Sequence, residues 1–197
     1  MRLFILVLFV CGLLLLAVPH AAAQDNAEVF GGYSFVHANF PVTTIPVSCA
    51  APPCLQSTNN RQPNMNGWEV AGTFKPVPWF GITGDFSSHY GTIRSASARM
   101  QNYLFGPKLE WHAPVSPFFH ALVGASHETL NSGPIVNGLI TVPRARTSIA
   151  AVLGVGIDIK LVPYLAFRPI QFDYLLTRFA NSTQSNARVS AGLVLRF

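Results

Sequence analysis

The amino-acid sequence predicts an all-β protein: a closed, up-and-down antiparallel transmembrane β-barrel of about eight strands. Three observations predict it. Beyond residue 23 the chain divides into segments in which apolar side chains recur at every second position, the period of a strand. The composition is 50% hydrophobic and only 11% charged, yet no stretch after the amino-terminal leader is long and apolar enough for a membrane helix. Connections alternate between short, proline-containing turns and longer polar loops, as successive hairpins pointing to opposite ends of one sheet require.

The leader explains the amino terminus. Met1-Arg2 is a basic start, Leu3 to Val18 is an almost unbroken apolar run, and Ala21-Ala22-Ala23 offers small residues for cleavage. Residues 1–23 are expected to be a signal peptide. The run falls short of the roughly 20 residues of a spanning helix, and no cysteine at the cleavage point supports a lipoprotein anchor. The chain is therefore expected to be exported, with the barrel domain occupying 24–197. Without Arg2, twelve basic side chains face eight acidic ones. These charges are scattered, which argues against a nucleic-acid partner. Cys11 leaves with the leader, and Cys49 and Cys54 remain as an even pair, expected to form a disulfide that stiffens the first outer loop.

The strands follow in order. Val29, Gly31, Tyr33 and Phe35 alternate with Glu28, Phe30, Gly32 and Ser34. Trp68, Val70, Gly72 and Phe74 alternate with Glu69, Ala71, Thr73 and Lys75. Phe80, Ile82, Gly84, Phe86 and Tyr90 oppose Gly81, Thr83, Asp85, Ser87 and His89. Tyr103, Phe105, Leu109 and Trp111 oppose Asn102, Lys108 and Glu110. The fifth segment, 118–127, is too uniformly apolar for a face to be assigned. In the sixth, Thr147 to Ile159 alternates with a set containing Gly154, Gly156, Asp158 and Lys160. The seventh sets Ile170, Phe172, Tyr174 and Leu176 against Gln171 and Asp173, and Pro169 predicts a bulge there. The eighth alternates Val189, Ala191, Leu193, Leu195 and Phe197 with Arg188, Ser190, Gly192 and Arg196.

Three tight turns, at 76–79, 114–118 and 161–164, share a Val-Pro or proline-flanked pattern followed by an aromatic residue. Trp79, Phe118 and Tyr164 are expected to form an aromatic girdle at that end. Longer loops are expected near 39–66, 92–98, 128–144 and 180–186. The larger apolar set alternates with small and charged residues, so the polar set must point into the barrel. In lipid an open sheet edge leaves backbone groups without partners, so the last strand must pair with the first.

The Leu193-x-Leu195-x-Phe197 pattern resembles the C-terminal signal by which outer-membrane barrels are recognised for assembly. The stretch Val29-Phe30-Gly31-Gly32-Tyr33-Ser34 resembles the first strand of small OmpA/OmpX-type outer-membrane barrels. The resemblance covers essentially the whole mature chain. It implies an outer-membrane location, contact with outer-membrane lipid, and engagement of the barrel-assembly machinery through Leu193, Leu195 and Phe197; a monomer is expected. With nothing after Phe197, no periplasmic peptidoglycan-binding domain is expected.

A barrel this narrow is filled by its own side chains. Glu69, Asp85, Lys108, Glu110, Asp158, Lys160, Asp173 and Arg188 are placed inside, either as a mutually neutralising network or as a narrow ion path, with the network favoured. Asp85, Ser87 and His89 share the inner face, but the order is wrong for a triad, which needs histidine between the other two. Ser185-Asn186-Ala187 resembles part of the His-x-Ser-Asn-Ala stretch of outer-membrane lipid A deacylases. Thr183 stands where that resemblance requires histidine, so the general base is missing and Ser185 is a weak nucleophile. The other histidines lack metal-ligand spacing, and no catalytic, cofactor-binding or metal-ligating set is expected. Arg61, Arg94, Arg99, Arg144, Arg146 and Arg178, set against Glu128, make a basic outer rim that is either simply solvated or in contact with lipopolysaccharide phosphates, with Arg144 and Arg146, adjacent on one strand face, as the first candidates for that contact. The expected function is structural, or surface interaction through the outer loops, without catalysis. The alternatives are a narrow ion or small-solute channel, a lipid-modifying enzyme, or a soluble periplasmic barrel binding a hydrophobic ligand.

Overall fold

The computed structural model describes residues 26–37, 44–46, 64–93, 96–131, 139–141, 144–179 and 182–197. The leader and the Cys49–Cys54 pair lie outside the described residues, as do Arg61 and Arg94. Among the described residues there are ten strands: β1 (Ala27–His37), β2 (Thr44–Pro46), β3 (Asn64–Val77), β4 (Phe80–Ile93), β5 (Ala96–Glu110), β6 (Val115–Leu130), β7 (Leu139–Thr141), β8 (Arg144–Val162), β9 (Leu165–Phe179) and β10 (Ser182–Arg196). Eight close into a barrel in the order β1-β10-β9-β8-β6-β5-β4-β3, while β2 and β7 pair separately. Every ladder is antiparallel.

Alternation sorts the side chains by face. On β3, Glu69 and Ala71 are buried while Trp68, Val70 and Phe74 are exposed. On β10, Arg188, Ser190 and Arg196 are buried while Val189, Leu193, Leu195 and Phe197 are exposed. Charge inside and apolar surface outside is the inverse of a water-soluble barrel and the arrangement that lipid selects. β6, whose face the sequence leaves open, turns Ser116, Phe118, His120 and Leu122 inward. Phe118 is therefore not a girdle residue. It is 3% exposed and faces the lumen, while Trp111, 66% exposed, joins Trp79 and Tyr164 on the outer surface at the tight-turn end.

Two irregularities decide what enters the lumen. Ser190 pairs with Gln171 but Gly192 pairs with Arg168, so β9 carries an extra residue around Pro169. That bulge breaks the alternation and turns both Arg168 and Gln171 inward. On β8 the register with β9 shifts after Ile157 and again after Lys160. The inward set ends at Asp158, and Lys160 is exposed at the turn-end rim rather than in the lumen. The opposite end is also tighter than the loop pattern implies. β4 and β5 stay paired to Ile93↔Ala96, and β9 and β10 to Phe179↔Ser182. Their polar residues are strand, not loop, because beyond the apolar belt a ladder needs no greasy outer face. The two wider connections carry β2 and β7, which pair through Thr44↔Thr141, Ile45↔Ile140 and Pro46↔Leu139.

The closing seam runs from Glu28↔Arg196 to His37↔Ala187. Beyond it Phe197 N–H donates to Ala27 O at 2.8 Å and Ala27 N–H to Phe197 O at 3.2 Å. Gly32 and Gly192 face each other across the seam. A Cβ at 192 would lie 2.3 Å from Gly31 O, and one at 32 would lie 2.3 Å from Ala191 O. Gly72, by contrast, has open space where a side chain would project. Gly192→Val is therefore expected to prevent closure, with loss of the heat-sensitive compact form on electrophoresis. Gly72→Val should leave that form intact.

Candidate functional site

The largest concentration of chemistry lies in the lumen, in two clusters stacked along the axis. The cluster nearer the tight-turn end combines Glu28 (β1), Lys75 (β3), Lys108 and Glu110 (β5), Asp158 (β8), Arg168 (β9) and Arg196 (β10), all buried. Lys75 Nζ is 2.7 Å from Glu28 and 3.1 Å from Glu110. Lys108 bonds Glu28 and lies 3.0 Å from Glu110. Arg196 donates to Glu110 at 2.7 Å. Arg168 grips Asp158 through Nε at 2.7 Å and Nη2 at 3.0 Å, the two-pronged geometry for which arginine is suited. Its guanidinium is also sandwiched between the rings of Phe30 and Phe118, 4.3 Å and 4.2 Å from their centroids.

The second cluster gathers around Arg188. Its Nε donates to Asp173 at 2.7 Å and its Nη2 to Asp85 at 2.7 Å, and Nε lies 3.6 Å from Glu69. Three carboxylates thus converge on one guanidinium, every partner 4% exposed or less. Gln171 joins the clusters. Its Oε1 accepts from Arg168, and its Nε2 donates to Glu69 and Asp173, all at 2.7–2.8 Å. His120 Nε2 lies 2.8 Å from Asp173 Oδ1. Room for that pair exists because residue 154 is glycine: a Cβ there would sit 1.9 Å from the Asp173 oxygen and 2.2 Å from the His120 nitrogen. Towards the loop end the lumen becomes partly apolar, with Val36, Met65, Met100, Val152 and Leu175 buried side by side.

Seven of the eight charges placed inside from the sequence meet here: Glu69, Asp85, Lys108, Glu110, Asp158, Asp173 and Arg188. Lys160 does not. Glu28, Lys75 and Arg196 share the strand parity of residues that were placed inside, so alternation alone was enough to find them. Arg168 was hidden by the bulge and His120 by the uniform apolarity of its segment. Asp85, Ser87 and His89 all face inward without forming a triad: Ser87 bonds Arg188 and Asn102, and His89 bonds Ser34. Ser185 is exposed on the outer face of β10. Glu28, Glu110 and Asp158 offer carboxylate oxygens close enough for a shared metal ion. Lys75, Lys108, Arg168 and Arg196 already supply the positive charge there, so the group is an ion-pair cluster.

On the outer surface the apolar belt gives way, towards the loop end, to polar pairs across neighbouring strands. Tyr33 donates to Asn66 at 2.5 Å, and His37–Asn64 and His127–Thr147 bond at 2.8 Å. Arg99 is exposed, its guanidinium 5.1 Å from the Tyr90 ring. Arg146 has the inward parity of β8 and is half-buried opposite Glu128 at the mouth of the lumen. It does not share an outward face with its neighbours, and the Arg144 side chain lies outside the described residues.

No protein-family profile matches the chain, and no curated protein matches it by sequence. Solved structures do. Neisserial surface protein A superposes with a TM-score of 0.63 at 12% identity, covering 90% of this chain and 100% of its own. Ail of Yersinia pestis, solved in complex with the heparin analogue sucrose octasulfate, gives 0.54 at 13% identity, over 86% of this chain and 99% of its own. The outer membrane protein OprG of Pseudomonas aeruginosa gives 0.52 at 9% identity, over 87% and 95%. The fold is that of the small eight-stranded outer-membrane barrels, the class implied by the OmpA/OmpX resemblance.

Arg188→Met would leave three buried carboxylates without their shared cation. Breaking a buried pair from one side costs about 3–5 kcal/mol. The variant is expected to unfold at markedly lower urea in detergent micelles, with Arg188→Lys intermediate.

Proposed function

We propose that this protein is an integral outer-membrane barrel that works through its loop end, as an envelope component meeting polyanions at the cell surface, without catalysis. The observation that carries the reading is the sorting of charge. Among the described residues, six of the carboxylates (Glu28, Glu69, Asp85, Glu110, Asp158, Asp173) lie in the lumen and the seventh, Glu128, is buried at its mouth. No carboxylate among the described residues faces outward to offset the cations. Arg99 is exposed above the apolar belt, held against Tyr90, and Arg61, Arg94, Arg144 and Arg178 fall in the same half of the sequence pattern, while Arg146 is turned to the mouth of the lumen opposite Glu128. A rim of one sign attracts clustered phosphates or sulfates. Ail, of the same fold, was solved with such a polyanion, which supports the same chemistry here. The phosphates of lipopolysaccharide are the partner we assign to the rim, because Arg99 stands where the apolar belt ends and headgroups begin.

A lipid-modifying role is disfavoured by Ser185, which faces outward with threonine, not histidine, two residues before it. A soluble ligand-binding barrel is disfavoured by the exposed apolar belt, since a lumen of paired charges has no place for a hydrophobic molecule. A channel is disfavoured by the filled lumen, and planar bilayers containing the protein should stay at baseline; discrete conductance steps would restore that reading. In nanodiscs, Arg99→Ala should weaken binding of lipopolysaccharide about fivefold at low salt, from ~1 kcal/mol per basic residue at an anionic surface. Dephosphorylated lipopolysaccharide should bind wild type no better than the variant. Equal binding of both forms would refute the phosphate assignment, and preference for heparin fragments would move the partner to a sulfated glycan.

A further inference from the structure

The contents of the lumen raise a question that its role as scaffold leaves open. Among the described residues six carboxylates are buried there, against five permanently charged cations: Lys75, Lys108, Arg168, Arg188 and Arg196. The mismatch is local. The cluster at the turn end holds four cations and three carboxylates, and the cluster around Arg188 holds one cation and three carboxylates. Lys108 and Arg168 face the space between the clusters, but their charge is already engaged by Glu28, Glu110 and Asp158.

The geometry around Arg188 is as uneven as the count. Asp173 is fully provided for: Arg188, Gln171 and His120 all reach it. Glu69 has Gln171 on one oxygen and Ser190 on the other, at 2.8 and 2.6 Å. Asp85 has only Arg188, whose guanidinium it shares. Glu69 pairs with Ser87, two residues from Asp85 on the same inward face of β4, so the two carboxyl groups are diagonal neighbours that share the Arg188 guanidinium. Two neighbouring carboxylates cannot both stay ionised in a dry site short of cations, and in such pairs one proton is shared between them.

We propose that Asp85 and Glu69 form a proton-binding site that holds one proton between the two carboxyl groups at neutral pH. One proton there brings the lumen to five negative and five positive charges, with His120 neutral and donating its Nε2 hydrogen to Asp173. A small cavity lined by Glu69, Asp85, His120, Lys108, Arg168 and Gln171 borders the pair, so the proton sits at the junction of the two clusters. The groups facing Asp85 are Glu69 from β3, Lys108 from β5, His120 from β6, Arg168 and Asp173 from β9, Arg188 from β10 and, from the turn side, Glu28 of β1. Of these Glu69 is the one that needs the proton to tolerate Asp85. The unfolded chain gives up this proton in the ordinary carboxylate range while the folded barrel keeps it, so barrel stability should fall as pH rises from that range up to the folded-state ionisation.

The test is infrared spectroscopy of the folded barrel in micelles at neutral pH. A carbonyl stretch of a protonated carboxylic acid, shifting on exchange into heavy water, is expected in wild type and absent from Asp85→Asn and Glu69→Gln. Stability gives an independent reading. Asp85→Asn replaces a protonated acid by a neutral amide of the same shape that has no proton to lose on unfolding, so its urea midpoint should exceed wild type at neutral and at high pH, the two converging only at acidic pH. Asp173→Asn, which removes an ionised partner of Arg188, should lower the midpoint at neutral and at high pH alike. Absence of the band from folded wild type overturns the proposal, as does an Asp85→Asn barrel as weakened at neutral pH as Asp173→Asn. A nitrogen-15 spectrum showing His120 as imidazolium, with no acid band, would place the balancing proton there instead and equally overturn it.

Discussion

The interior of this barrel is too narrow for bulk water, and every charge in it must find its counter-charge within the lumen. That constraint ties the structure together. Arg188 on β10 reaches Asp85 on β4, Arg196 on β10 reaches Glu110 on β5, and Lys108 on β5 reaches Glu28 on β1. None of these strand pairs are neighbours in the sheet. The ladders hold adjacent strands, and the ion pairs act as spokes between distant ones. A slip of one residue in any strand would turn its charges to lipid and its apolar set inward, so the spokes specify register as well as closure. Buried pairs of this kind add little net stability over apolar packing; what they supply here is a single permitted arrangement.

The same constraint shapes the outside. With the acidic side chains drawn into the lumen, the outer wall is left with an apolar belt, aromatic residues at the tight-turn end, and at the loop end polar cross-strand pairs with an exposed arginine. The seam where β1 meets β10 shows how closely the walls approach. Two glycines face each other at Gly32 and Gly192, and a methyl group on either would strike the opposite backbone. Gly154 plays the corresponding part inside, leaving room for His120 to reach Asp173.

Much of this was legible in the sequence, because alternation is a direct record of the two faces. The strand count, the inverted sidedness, the closing strand and most of the lumen charges follow from it. What alternation does not carry is the place where it breaks. Pro169 marked a bulge, but only the fold shows that Arg168 thereby joins Gln171 inside, making Arg168 the cation that links the aromatic pair Phe30 and Phe118 to Asp158. Phe118 looked like a girdle residue because it follows a tight turn; in a uniformly apolar segment nothing distinguished its face. Lys160 kept the right parity but passed the point where β8 still has an inner wall. The loop-end arginines were visible as composition, and the inward parity of Arg146 follows from its sharing the even positions of β8 with Asp158.

A lumen built from charge also answers a problem that arises before the barrel exists. The apolar face of every strand is dictated by lipid, so the other face is the only place where the chain's hydropathy can be held down. β8 comes nearest to failing: from Ile149 to Ile157 it is a run of alanine, valine, leucine, isoleucine and glycine, and the chain continues apolar to Phe167. Asp158 and Lys160 interrupt what would otherwise approach the roughly 20 apolar residues that read as a spanning helix. In β6, His120 and Glu128 break the stretch in the same way. Charges at strand intervals would penalise a helix through the bilayer, where each costs about 2.5–3.5 kcal/mol at the centre, while in the closed barrel Asp158 is neutralised by Arg168 and Lys160 lies exposed at the rim. An exported chain with an apolar lumen would lose that discrimination. The ion pairs therefore suit the unfolded chain and the folded barrel at once, and the lumen's contents follow from how the barrel is made as much as from what it does.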